Sequence, residues 1–276
     1  MTSPTLATVA TQFLQRPGLA KGTLKAYEST LMPFLAVYGS WSVELLERSE
    51  VVEYLQDLTH LAYTTRRKHQ ATVQTLFNFA VEQGYLKANP IARLKQPKPD
   101  PQKDEHTSDD TIRYLSQSQL TTLYRAVELD TRMKAIISLL HRSGARISEV
   151  LQLDLDDIDF DEQRFQVLGK GNKQRWCFFS QDTATALAEY IRDGRHPRSD
   201  ALFTAQQPIS LETSRISYRR IHQCWESLIA PYPDLKGARL HDLRHTFATE
   251  RVGLMGIEEL RALMGHESIL TTLRYQ

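Results

Sequence analysis

Residues 96–110 read QPKPDPQKDEHTSDD, with three prolines, seven charged side chains and no large apolar one. A stretch like this has nothing to bury and runs extended and solvated. A chain of 276 residues broken at that point must build a core on each side of the break. Before it, Leu24, Tyr27, Leu31, Phe34, Leu35 and Tyr38 recur at i, i+3, i+4 and i+7, the spacing of one helix face. Thr23 is placed to cap that helix. A second helix is expected from Thr64 or Thr65 to about Gly84, with Val73, Leu76, Phe77, Ala80 and Val81 as its stripe and Asn89-Pro90 as the breaker beyond it. Residues 1–95 therefore read as a small all-helical domain, 96–112 as a linker and 113–276 as a second domain.

The second domain mixes periods. Leu120, Leu123, Tyr124 and Val127, then Ile136, Ile137, Leu139 and Leu140, are helical in spacing. Residues 164–168 and 175–179 are short β-type runs around Gly169-Lys170-Gly171-Asn172-Lys173. The glycines and Asn172 tolerate the positive φ of a tight turn, so a hairpin is expected. Helices follow over 183–192, 211–229, 240–253 and 257–264. The expected fold class is mainly α with a small antiparallel β-hairpin, in two domains.

Several functions are set aside by composition. With 41% hydrophobic and 24% charged residues, a core forms without metals or disulfides. No apolar run is long enough to span a membrane, and the N-terminal stretch lacks the basic start and apolar centre of a signal peptide. Cys177 and Cys224 stand far apart, which fits neither a disulfide scaffold nor a cysteine zinc site. A cytoplasmic protein is expected. The net charge of +1 divides as +4 over residues 1–99 (11 cations, 7 anions), −4 over 100–112 (1 and 5) and +1 over the rest (22 and 21). A nucleic-acid binder with these totals must gather its cations on one face.

Four clusters carry chemistry. In Ser143-Gly144-Ala145-Arg146-Ile147-Ser148-Glu149, Arg146 and Glu149 are three apart and share a face. The plain reading is a surface ion pair worth roughly 0.3–0.5 kcal/mol; the functional one is an arginine whose fork is held for a phosphate. Lys170 and Lys173 sit on the hairpin, either solvated or delivering an ammonium as point charge or proton donor. His241, Arg244 and His245 occupy i, i+3 and i+4 of one helix. An H-x-x-x-H pair can hold zinc, but the metalloprotease form needs a glutamate after the first histidine, and a cation inside the motif repels a metal. The fourth cluster is LMGH, ending at His266, followed by TTLRY, ending at Tyr275. A tyrosine with an unperturbed pKa of about 10 needs nearby cations to favour its phenolate. None of these four clusters holds paired carboxylates for magnesium or a Gly-rich phosphate loop for a nucleotide. Two arginines, a lysine, two histidines and a tyrosine match metal-free phosphoryl transfer through a covalent intermediate.

In this order and at this spacing, GARISEV, GKGNKQR, HDLRHTFAT, LMGHES and LTTLRY resemble the boxes of the tyrosine recombinase (phage integrase) family. TLKAYESTLMPFLAVYG and RRKHQATVQTLFNFAVEQGYLKANP are similar to the core-binding domain of its Xer-like members. The resemblance implies a helical core-binding domain and a mixed α/β catalytic domain wrapped around double-stranded DNA. It makes Tyr275 the nucleophile that forms a 3′-phosphotyrosyl link. Arg146 and Arg244 would clamp the non-bridging oxygens, Lys170 would protonate the leaving 5′-oxygen, His241 would act in acid–base exchange and His266 would hydrogen-bond the phosphate. Glu149 would orient Arg146 or a histidine. It implies no cofactor, no metal and no ATP, since the phosphodiester energy is kept in the link. It also implies a homo-oligomer, a dimer on each site and a tetramer on paired sites. Family members usually continue past the tyrosine into a tail that docks on a neighbour; this sequence stops at Gln276, and a tyrosine at a chain end is expected to fray.

Phosphate contacts beyond the site are expected from Arg66, Arg67 and Lys68 at a helix start, from Lys173, and from Arg215, Arg219 and Arg220 as a stripe on one helix. Two competing readings remain at this stage. One is type IB topoisomerase-like relaxation, which uses the same chemistry. The other is an accessory DNA-binding protein without catalysis, which predicts decay at one of the six positions.

Overall fold

The computed structural model describes residues 3–100, 102, 105, 112–168, 174–207 and 210–276. The chain separates into two compact units, Met1–Thr111 and Ile112–Gln276.

The first unit holds α1 (Leu6–Gln15), α2 (Lys21–Tyr38), α3 (Arg48–Asp57) and α4 (Tyr63–Glu82). The expected stripes meet in its core, where Leu31, Phe34, Val73, Leu76, Phe77 and Ala80 are buried with Leu6, Val9 and Phe13 of α1. Phe34 and Phe77 pack edge to face at 6.2 Å between centroids. Helix α2 begins before Thr23, at Lys21, because Ala20 is the last extended residue and its carbonyl already accepts the Leu24 amide at 3.0 Å. Helix α1 buries Leu6, Val9, Ala10 and Phe13 at helical spacing, whereas α3 buries only Val51 and Tyr54. Part of the expected linker is held down: Glu105 accepts both carboxylate bonds from Arg66 at 2.7 Å and the Asp100 amide at 3.0 Å.

The second unit begins with α5 (Gln117–Ala126), α6 (Thr131–Ser143) and the single turn α7 (Ile147–Val150). Ser116 and Asp130 cap the first two by accepting amides three residues on. Strands β1 (Ile158–Asp159), β2 (Arg164–Leu168) and β3 (Gln174–Phe178) form an antiparallel sheet in that order. Phe165 pairs with Cys177, and both point into the core, while Trp176 and Phe178 are exposed, as the alternation of a strand requires. Residues 169–173, which include Lys170 and Lys173, lie outside the described residues. Then come α8 (Gln181–Glu189), the hairpin β4 (Thr204–Gln206) with β5 (Thr213–Arg215), α9 (Tyr218–Ile229), α10 (Leu240–Arg251), α11 (Ile257–Met264) and α12 (Ile269–Leu273). Its core joins α6 with the sheet, α8, α9 and α10 through Ile136, Leu140, Phe165, Leu187, Trp225 and Leu243. The fold is mainly helical with small antiparallel sheets.

A smaller cluster of Phe247, Ala248, Leu260 and Met264 packs beside α10 and α11, and Tyr275 lies against it. Gly144, which ends α6 at φ +64°, is pressed on Phe247, and an added Cβ would sit 2.4 Å from that ring. Gly144→Ala is therefore expected to lose about 2–5 kcal/mol, from left-handed strain plus overpacking, read as a fall in the denaturant midpoint without a change of slope.

Candidate active site

The left-handed turn at Gly144 releases the chain from α6 so that Arg146 becomes the residue that starts α7. Glu149 closes that turn on itself. Its carboxylate accepts the Arg146 amide at 2.7 Å and Arg146 Nη1 at 2.9 Å. The same carboxylate takes two parallel bonds from Arg175 of β3, at 2.9 and 2.8 Å. Arg175 Nε also donates to the Leu263 carbonyl at 3.1 Å, and Arg146 Nη2 to that of Gly265 at 3.3 Å. One carboxylate thus ties α7, β3 and the end of α11 together. Burial pushes the Glu149 carboxyl up, but the bonds from Arg175 and Arg146 outweigh it and hold it down at about 2. Arg175 is 12% exposed and Arg146 38%, so Arg146 is the cation with an open face.

Helix α10 supplies the second half. Arg244 is buried at 2% exposure and donates to the carbonyls of Gly144 and Met264. Burial, then the neighbouring Arg146, pushes its pKa down to about 10, still charged at neutral pH. His241 and His245 lie one turn apart with their rings edge to face at 4.6 Å. Burial lowers both, followed by Arg244 for His241 and by His241 for His245, which falls to about 4. His266 also falls to about 4, from burial and then Arg244. His245 and His266 are therefore neutral at pH 7.

Helix α12, capped by Ser268, brings up the tyrosine. The Thr272 hydroxyl bonds His266 Nδ1 at 2.9 Å, and the His266 and Tyr275 rings lie parallel at 6.4 Å. The Tyr275 hydroxyl meets His245 Nδ1 at 2.7 Å. Two expectations are corrected here. Tyr275 is not frayed: its amide donates to the Thr272 carbonyl at 3.1 Å and its ring packs on the Phe247 cluster. Nor do the cations win at its oxygen. Burial raises its pKa more than Arg244, Arg274 and Arg146 lower it, so the resting group is a phenol.

Arg146, Glu149, His241, Arg244, His266 and Tyr275 thus surround one place. Arg175 and His245 join them, through Glu149 and the Tyr275 hydroxyl. Arg175 stands inside GKGNKQR, where the sequence shows only the start of a strand, and His245 shares the His241–Arg244 face without a role of its own in the sequence. The signal for His245 was its i+4 spacing from His241; nothing local marks Arg175. Among the described residues no group of three or more histidine, cysteine or acidic side chains is placed to hold a metal.

The outlying cations differ in their freedom. Arg67 and Lys68 are exposed on α4, with Arg67 Nε reaching Gln96 at 2.6 Å, whereas Arg66 is held by Glu105. Arg219 and Arg220 are exposed on α9. Arg215 does not share their helix. Residues 213–215, with β-branched Thr213, pair with β4, and α9 starts only after Ser217 accepts the Arg220 amide at 3.2 Å. Arg215 instead clamps the chain after α7, donating to the Leu151 and Leu153 carbonyls at 3.0 and 2.7 Å and pairing with Asp154. Arg215→Ala is expected to cost about 2 kcal/mol, a fall of roughly 4–8 °C in Tm, with no loss of affinity for DNA in a filter-binding assay.

Comparison with known proteins identifies the family. Residues 113–276 match the model of the phage integrase family. The chain is 32% identical over 261 residues to the tyrosine recombinase XerC of Mycobacterium bovis, covering 89% of this chain and 83% of that one. It is 29% identical over 270 residues to the tyrosine recombinase XerD of Bifidobacterium longum, covering 94% and 87%. Among solved structures, the Tn1549 transposon integrase with circular intermediate DNA superposes with a TM-score of 0.77 at 20% identity, over 99% of this chain and 95% of that one. A lambda integrase dimer on a core site gives 0.76 at 14% identity, over 99% and 95%. The chain belongs to the phage integrase family and is a Xer-like tyrosine recombinase.

Proposed function

We propose that this recombinase cuts and rejoins double-stranded DNA at a specific site through a covalent link to Tyr275. The Tyr275 oxygen attacks the scissile phosphorus, an O–P bond forms, and the bond to the 5′-oxygen breaks. Arg146 and Arg244 neutralise the non-bridging oxygens, the task preorganised cations perform best in a partly buried site. Arg244 cannot swing away, because two carbonyls hold it. Arg146 is aimed through Glu149, which Arg175 in turn holds. His241 acts in acid–base exchange, His266 hydrogen-bonds the phosphate, and Lys170 supplies the proton to the leaving 5′-oxygen. Rejoining reverses these steps with a new 5′-hydroxyl, and the energy of the phosphodiester is kept throughout, so no nucleotide is consumed.

The single observation that carries this reading is the seating of the Tyr275 hydroxyl on His245 at 2.7 Å, within the field of Arg244 and Arg146. DNA outside the site is held by cations including Arg67, Lys68, Arg219 and Arg220, which position the duplex without reading its sequence. A dimer on each site and a tetramer on paired sites belong to the same proposal, as do the first unit as core-binding domain, the second as catalytic domain and a cytoplasmic location. Among the described residues no helix is long and apolar enough to cross a membrane.

A covalent trap tests the reading. The protein is mixed with sheared DNA of its source organism in EDTA, denatured and digested, and its peptides are weighed. A nucleotide adduct on Tyr275 is expected, and sequencing of the captured DNA then defines the site. An adduct on another residue, or none, refutes the assignment.

A further inference from the structure

Tyr275 begins as a phenol, so something must take its proton when it attacks. The neighbours of its oxygen are few. The hydroxyl lies 2.7 Å from His245 Nδ1. His266 is turned parallel to the tyrosine ring at 6.4 Å, and its Nδ1 is committed to Thr272. His241 meets the edge of His245, with ring centres 4.6 Å apart. Among the described residues, His245 alone makes the direct bond.

Resting on the reading of Tyr275 as nucleophile, we propose that His245 is a further catalytic residue, the base that receives the phenolic proton. As the Tyr275 oxygen bonds to phosphorus, its proton moves to Nδ1 and makes an imidazolium, while the departing 5′-oxygen takes its proton from a separate donor. In rejoining, the 5′-hydroxyl attacks, the Tyr275–phosphorus bond breaks, and Nδ1 returns the proton to the phenol. The base role uses the tautomer with hydrogen on Nε2 and an open Nδ1. Burial, His241, Arg239 and Arg244 hold His245 neutral, with the Asp242 carboxylate opposing them. A neutral imidazole is the form that accepts a proton. A bound phosphodiester brings negative charge among the same arginines and eases the imidazolium, so proton transfer is favoured when DNA is in place.

The test is the single-turnover rate of adduct formation on end-labelled sheared genomic DNA of the source organism. It compares the wild type, His245→Ala, His245→Gln and Tyr275→Phe. Glutamine keeps a hydrogen bond to the phenol but stores no proton. Both His245 variants are expected to slow about 10²–10⁴-fold near pH 7, with DNA affinity and Tm close to wild type. Their deficit should shrink about tenfold per pH unit as hydroxide takes over the deprotonation. A deficit that is constant with pH, or wild-type speed in His245→Gln, overturns the base role and leaves only positioning. Wild-type speed in both variants removes any role. If Tyr275→Phe still forms adducts, or the wild type forms none, the nucleophile reading itself falls and takes this inference with it.

Discussion

Tyr275→Phe is expected to form no covalent adduct with DNA and to bind the same DNA with unchanged affinity. The substitution deletes one oxygen. That oxygen is the only atom of the side chain able to attack phosphorus, so the loss is complete rather than graded. The ring stays where it is, because it packs on Phe247, Ala248, Leu260 and Met264. The cost to folding is the bond to His245, about 1 kcal/mol, so the melting curve moves little. In the proposed reading, affinity for DNA rests on cations that the substitution does not touch. A denaturing gel measures the adduct, and fluorescence anisotropy measures binding across a salt series. Residual adduct in this variant shows that another residue attacks. A parallel loss of binding shows that the tyrosine is part of the DNA grip.

Glu149→Ala is expected to damage both stability and reaction. The carboxylate is 7% exposed and lies between Arg146 and Arg175, while Arg175 itself is 12% exposed. Removing it leaves a buried guanidinium without a counter-charge, a loss of about 3–5 kcal/mol. It also frees Arg146, whose displacement by about 1 Å costs on the order of 10²-fold in adduct formation. The dependence on pH has a definite sign. The folded carboxyl is depressed to about 2 from an ordinary 4.5. Its contribution, roughly 3 kcal/mol, is fully present above pH 4.5 and is lost as pH falls towards 2. The stability gap between wild type and Glu149→Gln should therefore be flat at neutral pH and close as pH falls through that window. A gap that stays open at pH 2 contradicts the ion-pair account. Wild-type adduct rates in Glu149→Ala at a temperature where the variant is folded contradict the aiming of Arg146.

The sequence by itself determined what depends on neighbours along the chain. Three prolines and seven charges over 96–110 divided the apolar pattern. The 3.6 period marked α2, α4, α10 and α11, with α11 matching over Ile257–Met264, and the period of two marked β2 and β3. The side chains of Arg146, His241, Arg244, His266 and Tyr275 were legible because they sit in strings whose order and spacing are those of a family. Where local rules competed, legibility failed: Thr23 is a good cap that caps nothing, and Arg215 falls in a strand rather than on α9.

Only the tertiary structure decided which groups meet. Arg244 bonds the carbonyl of Gly144, 100 positions away. Arg175 shares a carboxylate with Arg146 across 26 positions from Glu149, and His245 takes the hydroxyl of Tyr275 across 30. It also reversed the expected electrostatics at Tyr275, since desolvation exceeds the pull of the arginines. The physical reason is one of range. Helix and strand patterns are set by steric and hydrogen-bond rules that act over three or four residues, and they repeat visibly. A guanidinium's partner and the water left around a phenol are set by how the finished elements pack, and packing leaves no period in the chain to read.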